Sequence, residues 1–488
     1  MKQLEADITV IAGGAAGLTA TVAAVEKGAK VIVIEKGATT GGTGSMGMGP
    51  LGIESNLQKM KLIGPTTDEA FQTFMDYIHW RGDARLVRAY IDKSGDTINW
   101  LESMGVQFTD VAAYFRGGHQ TWHIVKPDTG EPGPGCAGTM FKILTERAQN
   151  LGVKILLNSP AIKIIKKNDN IAGVIAEDQS GEQFEVKAKA VIVATGGFGD
   201  SPELIKKNTG YEWGKDMFSM RTPGVIGEGM SMAREVGAAS TDMMMEMIYD
   251  MPEFITHSID QRISPVFKQP HLLVNLLGKR FMNEEVMINT TFTGNAISFQ
   301  KDRCAFLIFD NDIMNHMEHE GGFDHRNRVF PITKLDNIDG ILSVAIASGS
   351  KNVFKADSIE ELAEKIGLDP KELRNTVDEY NEFCQKGHDD HYNKNYQYLR
   401  MVKKPKFYAG KLGCSAYGSL GGIKINYKAE VLDKNWMKIP GLYAAGVDAC
   451  SIYGDSYPFI LPGNTMGFSI NSGRIAGENA ADYVKSSN

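Results

Sequence analysis

Residues 7–36, DITVIAGGAAGLTATVAAVEKGAKVIVIEK, most constrain how this chain can fold: strand, glycine turn, helix, strand, ending on an acid. The run ITVIA is short, β-branched and apolar enough for a buried parallel strand. Ala12, Gly13, Gly14, Ala15, Ala16 and Gly17 then occupy a G-x-G-x-x-G turn. Gly14 lets the backbone approach a pyrophosphate, Gly17 lets the helix pack close to the strand, and the helix N-terminus faces the phosphates. Ala12 stands where the motif has its first glycine, so the turn must accommodate a Cβ. Glu35, followed by Lys36, closes the second strand and is placed to accept hydrogen bonds from an adenosine ribose. Such a unit binds the ADP half of a dinucleotide.

At 488 residues the chain is long enough for two or three domains with separate cores. A formal charge of -7 argues against nucleic acid or an anionic membrane surface as the main partner. MKQLEAD leads straight into the first strand, without a signal peptide, and no stretch is apolar enough to span a membrane. The five cysteines form no C-x-x-C pair, which predicts free thiols in a reducing cytoplasm. A second glycine turn, Ala194 to Phe198, ends the strand EQFEVKAKAVIVATGGF at its carboxyl end, where ligands sit in open α/β sheets. The Met-rich middle predicts two helices. One opens at Ser358 with Glu361 in capping-box spacing, and the other starts at Pro370 and stops at Gly387. This pattern reads as a nucleotide domain interrupted by an inserted cap.

Over essentially its whole length the chain resembles the flavoprotein family of fumarate reductases, succinate dehydrogenases, urocanate reductases and 3-ketosteroid dehydrogenases. The resemblance rests on residues 7–36, Gly41-Gly42, ATGGF at 194–198, GVIGEGMSMAREVGA at 224–238 and LLVNLLGKRFMNE at 272–284. LGGIKINYKAEVL at 420–432 and IPGLYAAG followed by PGNTMG complete it. It implies an α/β fold: a Rossmann-like FAD-binding domain of glutathione-reductase type (1–243 and 413–488) with an inserted α+β capping domain (244–412). FAD would meet Ala12, Gly14, Ala15, Ala16 and Gly17 at the pyrophosphate, Glu35 and Lys36 at the ribose, and Gly41, Gly42, Thr43 and Gly44 at the flavin edge. Ala161, Ala194, Thr195, Gly196, Glu228, Gly446 and Val447 are further implied cofactor positions. Asn464, Thr465 and Met466 open a final helix whose positive end would face the flavin N1/C2=O. Covalently flavinylated members carry a histidine in the loop 41–49; GGTGSMGMG has none, which implies noncovalent FAD. No second dinucleotide fingerprint is present, so the electron partner is left open.

The substrate positions depart from the dicarboxylate reductases of the family. Ile288 stands at the position of their proton-donor arginine and Ile460 at that of a carboxylate-binding arginine. Tyr417 and Tyr249 replace histidines, and Ile263-Ser264 replaces a Thr-Glu pair. Isoleucine offers neither charge nor donor, so a dicarboxylate would lie desolvated and unpaired, at a penalty on the order of several kcal/mol. Tyr457-Pro458 resembles the ketosteroid branch, although Phe459 follows where that branch has glycine. The resemblance implies hydride exchange between flavin N5 and a C–C bond beside a carbonyl, with a tyrosine as acid, base or carbonyl donor. Tyr417 and Tyr457 are the first candidates, with Tyr249 and Tyr453 in reserve; backbone amides of Gly421 or Gly422 could complete an oxyanion site.

The expected substrate is a steroid-like or aryl enone, and the direction is reduction or desaturation. A carboxylate reductase using Lys268, Arg262 or Arg116, or a flavin electron-transfer protein, remain the alternatives. His119 and His123 read as surface histidines, Lys279-Arg280 as ordering a turn, the methionines 243–247 as core filler, and 388–391 (HDDH) as a solvated loop rather than a metal site.

Overall fold

In the computed structural model, which describes residues 2–486 apart from 221, 257 and 323–334, the chain divides into two compact units. The first comprises residues 1–210, 221–246 and 418–488, the second 211–220 and 247–417. The expected boundaries lay a few residues away, and the segment 211–220 was expected in the first unit. It joins the second because strand Phe218–Ser219 pairs in parallel with Ser415 and Ala416, and Asp216 bonds Arg303 at 2.8 Å.

The first unit is built on a six-stranded sheet in the order Glu430–Leu432, Lys438–Ala444, Ala190–Val193, Ile8–Ile11, Val31–Ile34, Lys154–Leu156. All pairings are parallel except the first. Strands Ile8–Ile11, Val31–Ile34 and Ala190–Val193 are buried throughout, which is why they read as unbroken apolar runs. Helix Ala15–Glu26 is buried over most of its length and packs on the C-terminal helix Asn464–Ser486. A Cβ on Gly473 or Gly477 would come within 2.3 or 2.2 Å of the Ala16 or Ala20 carbonyl, so these glycines permit backbone contact between the helices. Ala12 adopts φ +80°, and its carbonyl sits where a Cβ on Gly17 would approach to 1.9 Å. The motif's first position therefore keeps the left-handed conformation despite its methyl group.

The first unit also holds a four-stranded sheet (Lys2–Glu5, Gln183–Lys187, Asn170–Glu177, Ala161–Lys167) and the pair Phe108–Ala112 and Trp122–Val125; the second is built on a separate sheet. Cys304–Asp310 pairs antiparallel with Leu272–Val274 and with strand Phe407–Gly422, which also pairs with Val353–Ala356. The Ser358 hydroxyl caps helix Ile359–Ile366, while Glu361 reaches back to the amide of Asp357, one residue before the expected partner. Asp369 caps helix Pro370–Lys386, and Gly387 ends it at φ +73°. Helices Thr290–Ser298, Asn311–His319 and Ile338–Ala347 add to the two expected ones. The last is apolar almost all round and gives no amphipathic period.

The loop after Gly387 departs from the solvated reading. Asp389 is buried and takes two hydrogen bonds from Arg280, at 3.0 and 2.8 Å, while Arg280 also grips Glu284 at 2.8 Å. Lys394 joins at 3.3 Å from Glu284. Burial pushes the Asp389 carboxyl up, but Arg280 outweighs it and holds the group at about 2. Four charges from two segments thus neutralise one another inside the second unit. Arg280→Ala strands two buried carboxylates and is expected to destabilise by roughly 3–5 kcal/mol, read as a lower urea midpoint.

Candidate active site

In the first unit, helix Ala15–Glu26 starts at Gly14 with no side-chain cap and no acid in its first turn. A Cβ on Gly14 would meet nothing within 4 Å, so open space lies before this turn. The helix offers an uncapped N-terminus that an anion can approach. Glu35 braces the same turn, accepting from the Gly13 amide at 2.7 Å and the Gly37 amide at 2.6 Å. The Gly41 amide donates to the Gly13 carbonyl at 2.8 Å, so the turn lies alongside the 41–47 loop. Thr43 bonds Thr222 at 2.6 Å. Lys36 pairs with Glu228 and with the Gly224 carbonyl. Ala161 opens the strand Ala161–Lys167.

The second glycine turn is fastened by a residue that motif reading missed. Buried Asp448 accepts from the amides of Thr195, Gly196 (3.3 Å) and Gly197 (2.9 Å) and from the Thr195 hydroxyl at 2.8 Å. Its signal was an acid two residues past Gly446, directly after a buried strand. Gly446, at φ +67°, bonds the Ser472 hydroxyl, and a Cβ there would meet that of Ala16 at 2.9 Å. The residues thus fit a dinucleotide: uncapped amides for phosphate, a carboxylate for ribose, and glycines where backbone must pass closely.

At the start of helix Asn464–Ser486 the structure gathers a polar cluster inside an aromatic shell. The Tyr457 hydroxyl accepts from the Thr465 amide at 3.0 Å. Thr465 also donates to Glu246 Oε1 at 2.8 Å. Glu246 is 2% exposed; burial pushes its carboxyl up to about 8, against the opposing bond from Thr465. Burial pushes the Tyr457 phenol up, and Glu246, once ionised, pushes it further. Tyr453 packs 5.2 Å from Tyr457, and Phe459 packs 4.7 Å from it and 4.5 Å from Tyr114. Tyr90 bonds the Asn464 side chain at 3.0 Å.

Tyr457 and Tyr453 are therefore brought together within the first unit. Tyr249 and Tyr417 belong to the second. Tyr249 is fully buried and donates to the Met287 carbonyl at 3.0 Å, whereas Tyr417 is 37% exposed. Lys268 pairs with Asp250, and Arg262 with Asp260 at 2.5 Å; Arg116 is exposed. His123 is buried rather than superficial: it shares hydrogen bonds with Ser55 (2.7 Å) and the Thr121 carbonyl (3.0 Å), and burial lowers it to about 4. Met245 and Met247 are buried core residues. Glu246, which sits between them, carried no motif and was missed.

The model of the FAD binding domain family matches residues 7–465. The chain is 33% identical to a vinyl phenol reductase of Lactiplantibacillus plantarum, over 98% of this chain and 97% of that protein. It is 29% identical to a fumarate reductase (cytochrome) of Shewanella frigidimarina, over 98% of this chain and 77% of the other. The structure of a 3-ketosteroid-Δ4-(5α)-dehydrogenase from Rhodococcus jostii superposes with a TM-score of 0.77 at 23% identity, covering 99% of this chain and 98% of that one.

A carboxyl with a raised pKa takes up a proton on folding. Its favourable contribution is complete below about 4.5 and is lost as pH rises to about 8. At pH 7 the loss is roughly 3 kcal/mol. Glu246→Gln is expected to flatten that part of the stability–pH curve, measured by denaturation between pH 5 and 8.

Proposed function

The chain belongs to the FAD binding domain family, and we propose that it reduces a carbon–carbon double bond conjugated to an aryl ring or carbonyl, with Tyr457 delivering the proton. It is an FAD-dependent oxidoreductase of the CH–CH class. The carrying observation is the uncharged setting of Tyr457. Its hydroxyl takes the Thr465 amide hydrogen and so keeps its own for a substrate atom, among Tyr453, Phe459 and Tyr114. Likeness to a vinyl phenol reductase over almost the full length of both chains favours an aryl alkene over a steroid-like one.

FAD held by these residues would, once reduced, supply the hydride. Tyr457 supplies the proton to the other carbon of the double bond, so the alkene gains one hydride and one proton. The aromatic shell excludes water and favours a flat apolar ring. A dicarboxylate finds no matching cation at the departures noted above: Ile288 and Ile460 carry none, and Lys268 and Arg262 are bound to Asp250 and Asp260. The absence of histidine from the loop 41–49 supports noncovalent FAD. All five cysteines are unpaired, which supports a reducing cytoplasm, and no helix among the described residues is long and apolar enough to cross a membrane.

The test is anaerobic reoxidation of the reduced flavin by hydroxystyrenes, cinnamates, 3-keto-Δ4 steroids and fumarate. Fast reoxidation by a neutral aryl alkene is expected, with fumarate inert; fast reoxidation by fumarate would overturn the reading. Tyr457→Phe is expected to slow the productive reaction by about 10²–10⁴-fold while FAD stays bound.

A further inference from the structure

We propose that Glu246 is the proton store that refills Tyr457, through the Thr465 hydroxyl, after each transfer to substrate. This rests on the assignment of Tyr457 as the proton donor.

Tyr457 is 4% exposed and Glu246 2%, so solvent does not reach the phenol freely. A phenol that has given up its proton there needs an internal source. Thr465 sits between the two groups: its hydroxyl bonds Glu246 Oε1 at 2.8 Å, and its amide donates to the Tyr457 hydroxyl at 3.0 Å. A hydroxyl both donates and accepts, so it can pass a proton along while remaining a hydroxyl. The other titratable groups acting in this cluster are Tyr453, Tyr90 and Cys450, all raised by burial and all neutral at physiological pH. None is a cation that would hold Glu246 ionised, and at neutral pH its carboxyl is protonated. A buried carboxyl with no ionic partner is costly to keep, and an apolar side chain would pack more cheaply. Its placement is explained if its proton is used.

The transfer balances without electrons. Tyr457 gives its proton to carbon and becomes a phenolate. The Thr465 O–H bond breaks as its proton passes to the phenolate oxygen, and the Glu246 carboxyl proton passes to the Thr465 oxygen. Phenolate and carboxylic acid become phenol and carboxylate. The step runs downhill, because the phenol is a weaker acid than the carboxyl. A solvent proton restores Glu246 once product leaves.

The experiment compares wild type with Glu246→Gln, Thr465→Val, Thr465→Ser and Tyr457→Phe as FAD-loaded proteins. The readouts are infrared spectra of the protonated carboxyl and substrate-driven reoxidation of reduced flavin across pH 6–10 in light and heavy water. A carboxyl band that titrates near 8 in wild type and is missing in Glu246→Gln is expected. Glu246→Gln and Thr465→Val should reoxidise about 10²-fold more slowly, with enlarged solvent isotope effects, and Glu246→Gln should lose the decline above pH 8. Thr465→Ser, which keeps the hydroxyl, should restore the rate. If Glu246→Gln binds FAD poorly, the Val and Ser pair at 465 carries the test alone. Wild-type rates in both Glu246→Gln and Thr465→Val, with Tyr457→Phe slow, overturn the relay and leave the donor standing. A fast Tyr457→Phe overturns the donor and the relay together, while the infrared titration still reports the carboxyl.

Discussion

Backbone contact between the helices Ala15–Glu26 and Asn464–Ser486 is the constraint on which the first unit depends. Gly473 faces the carbonyl of Ala16 and Gly477 that of Ala20, so the two helices run side by side in the same direction. A methyl at either glycine would sit inside the neighbouring backbone. Because the register is fixed, both helix N-termini lie toward the carboxyl edge of the same parallel sheet. One presents uncapped amides beside Gly14, and the other presents amides to Tyr457. Nucleotide turn and polar cluster are thus positioned by one packing event between the two ends of the chain.

Two buried clusters show how differently this protein treats ionisable groups. Around Arg280, charges of both signs meet in one place, and Arg280 holds the Asp389 carboxylate ionised. Around Glu246 no opposite charge is provided, and burial holds the proton on instead. The first arrangement stiffens a structure and resists titration. The second leaves a proton that can move at physiological pH, which is the property acid–base chemistry requires.

Much was legible early. The strand–turn–helix–strand unit, the glycine turn at 194–198, the cap at Ser358 and the helix between Pro370 and Gly387 rest on local rules. Periodicity and special φ values act between residues close in sequence. The family followed from motifs spread along the chain, each carrying its own spacing. Other features were not legible: Asp389 read as solvated because its neighbours are polar, yet its partner Arg280 lies far away in the chain. His123 read as superficial, although the hydroxyl that satisfies it belongs to Ser55. Neither Asp448 nor Glu246 carries a motif.

The sequence by itself determined the cofactor class, the parallel sheet that holds it, and the replacement of cationic substrate residues by isoleucine and tyrosine. These are matters of residue type and short-range spacing. Only the tertiary structure decided what surrounds each tyrosine. It enclosed Tyr249 against a carbonyl, left Tyr417 partly exposed, and set Tyr457 beside Thr465 and Glu246. A phenol's acidity and the direction of its hydrogen depend on burial and on partners distant in the chain, and those exist only once the chain has closed on itself.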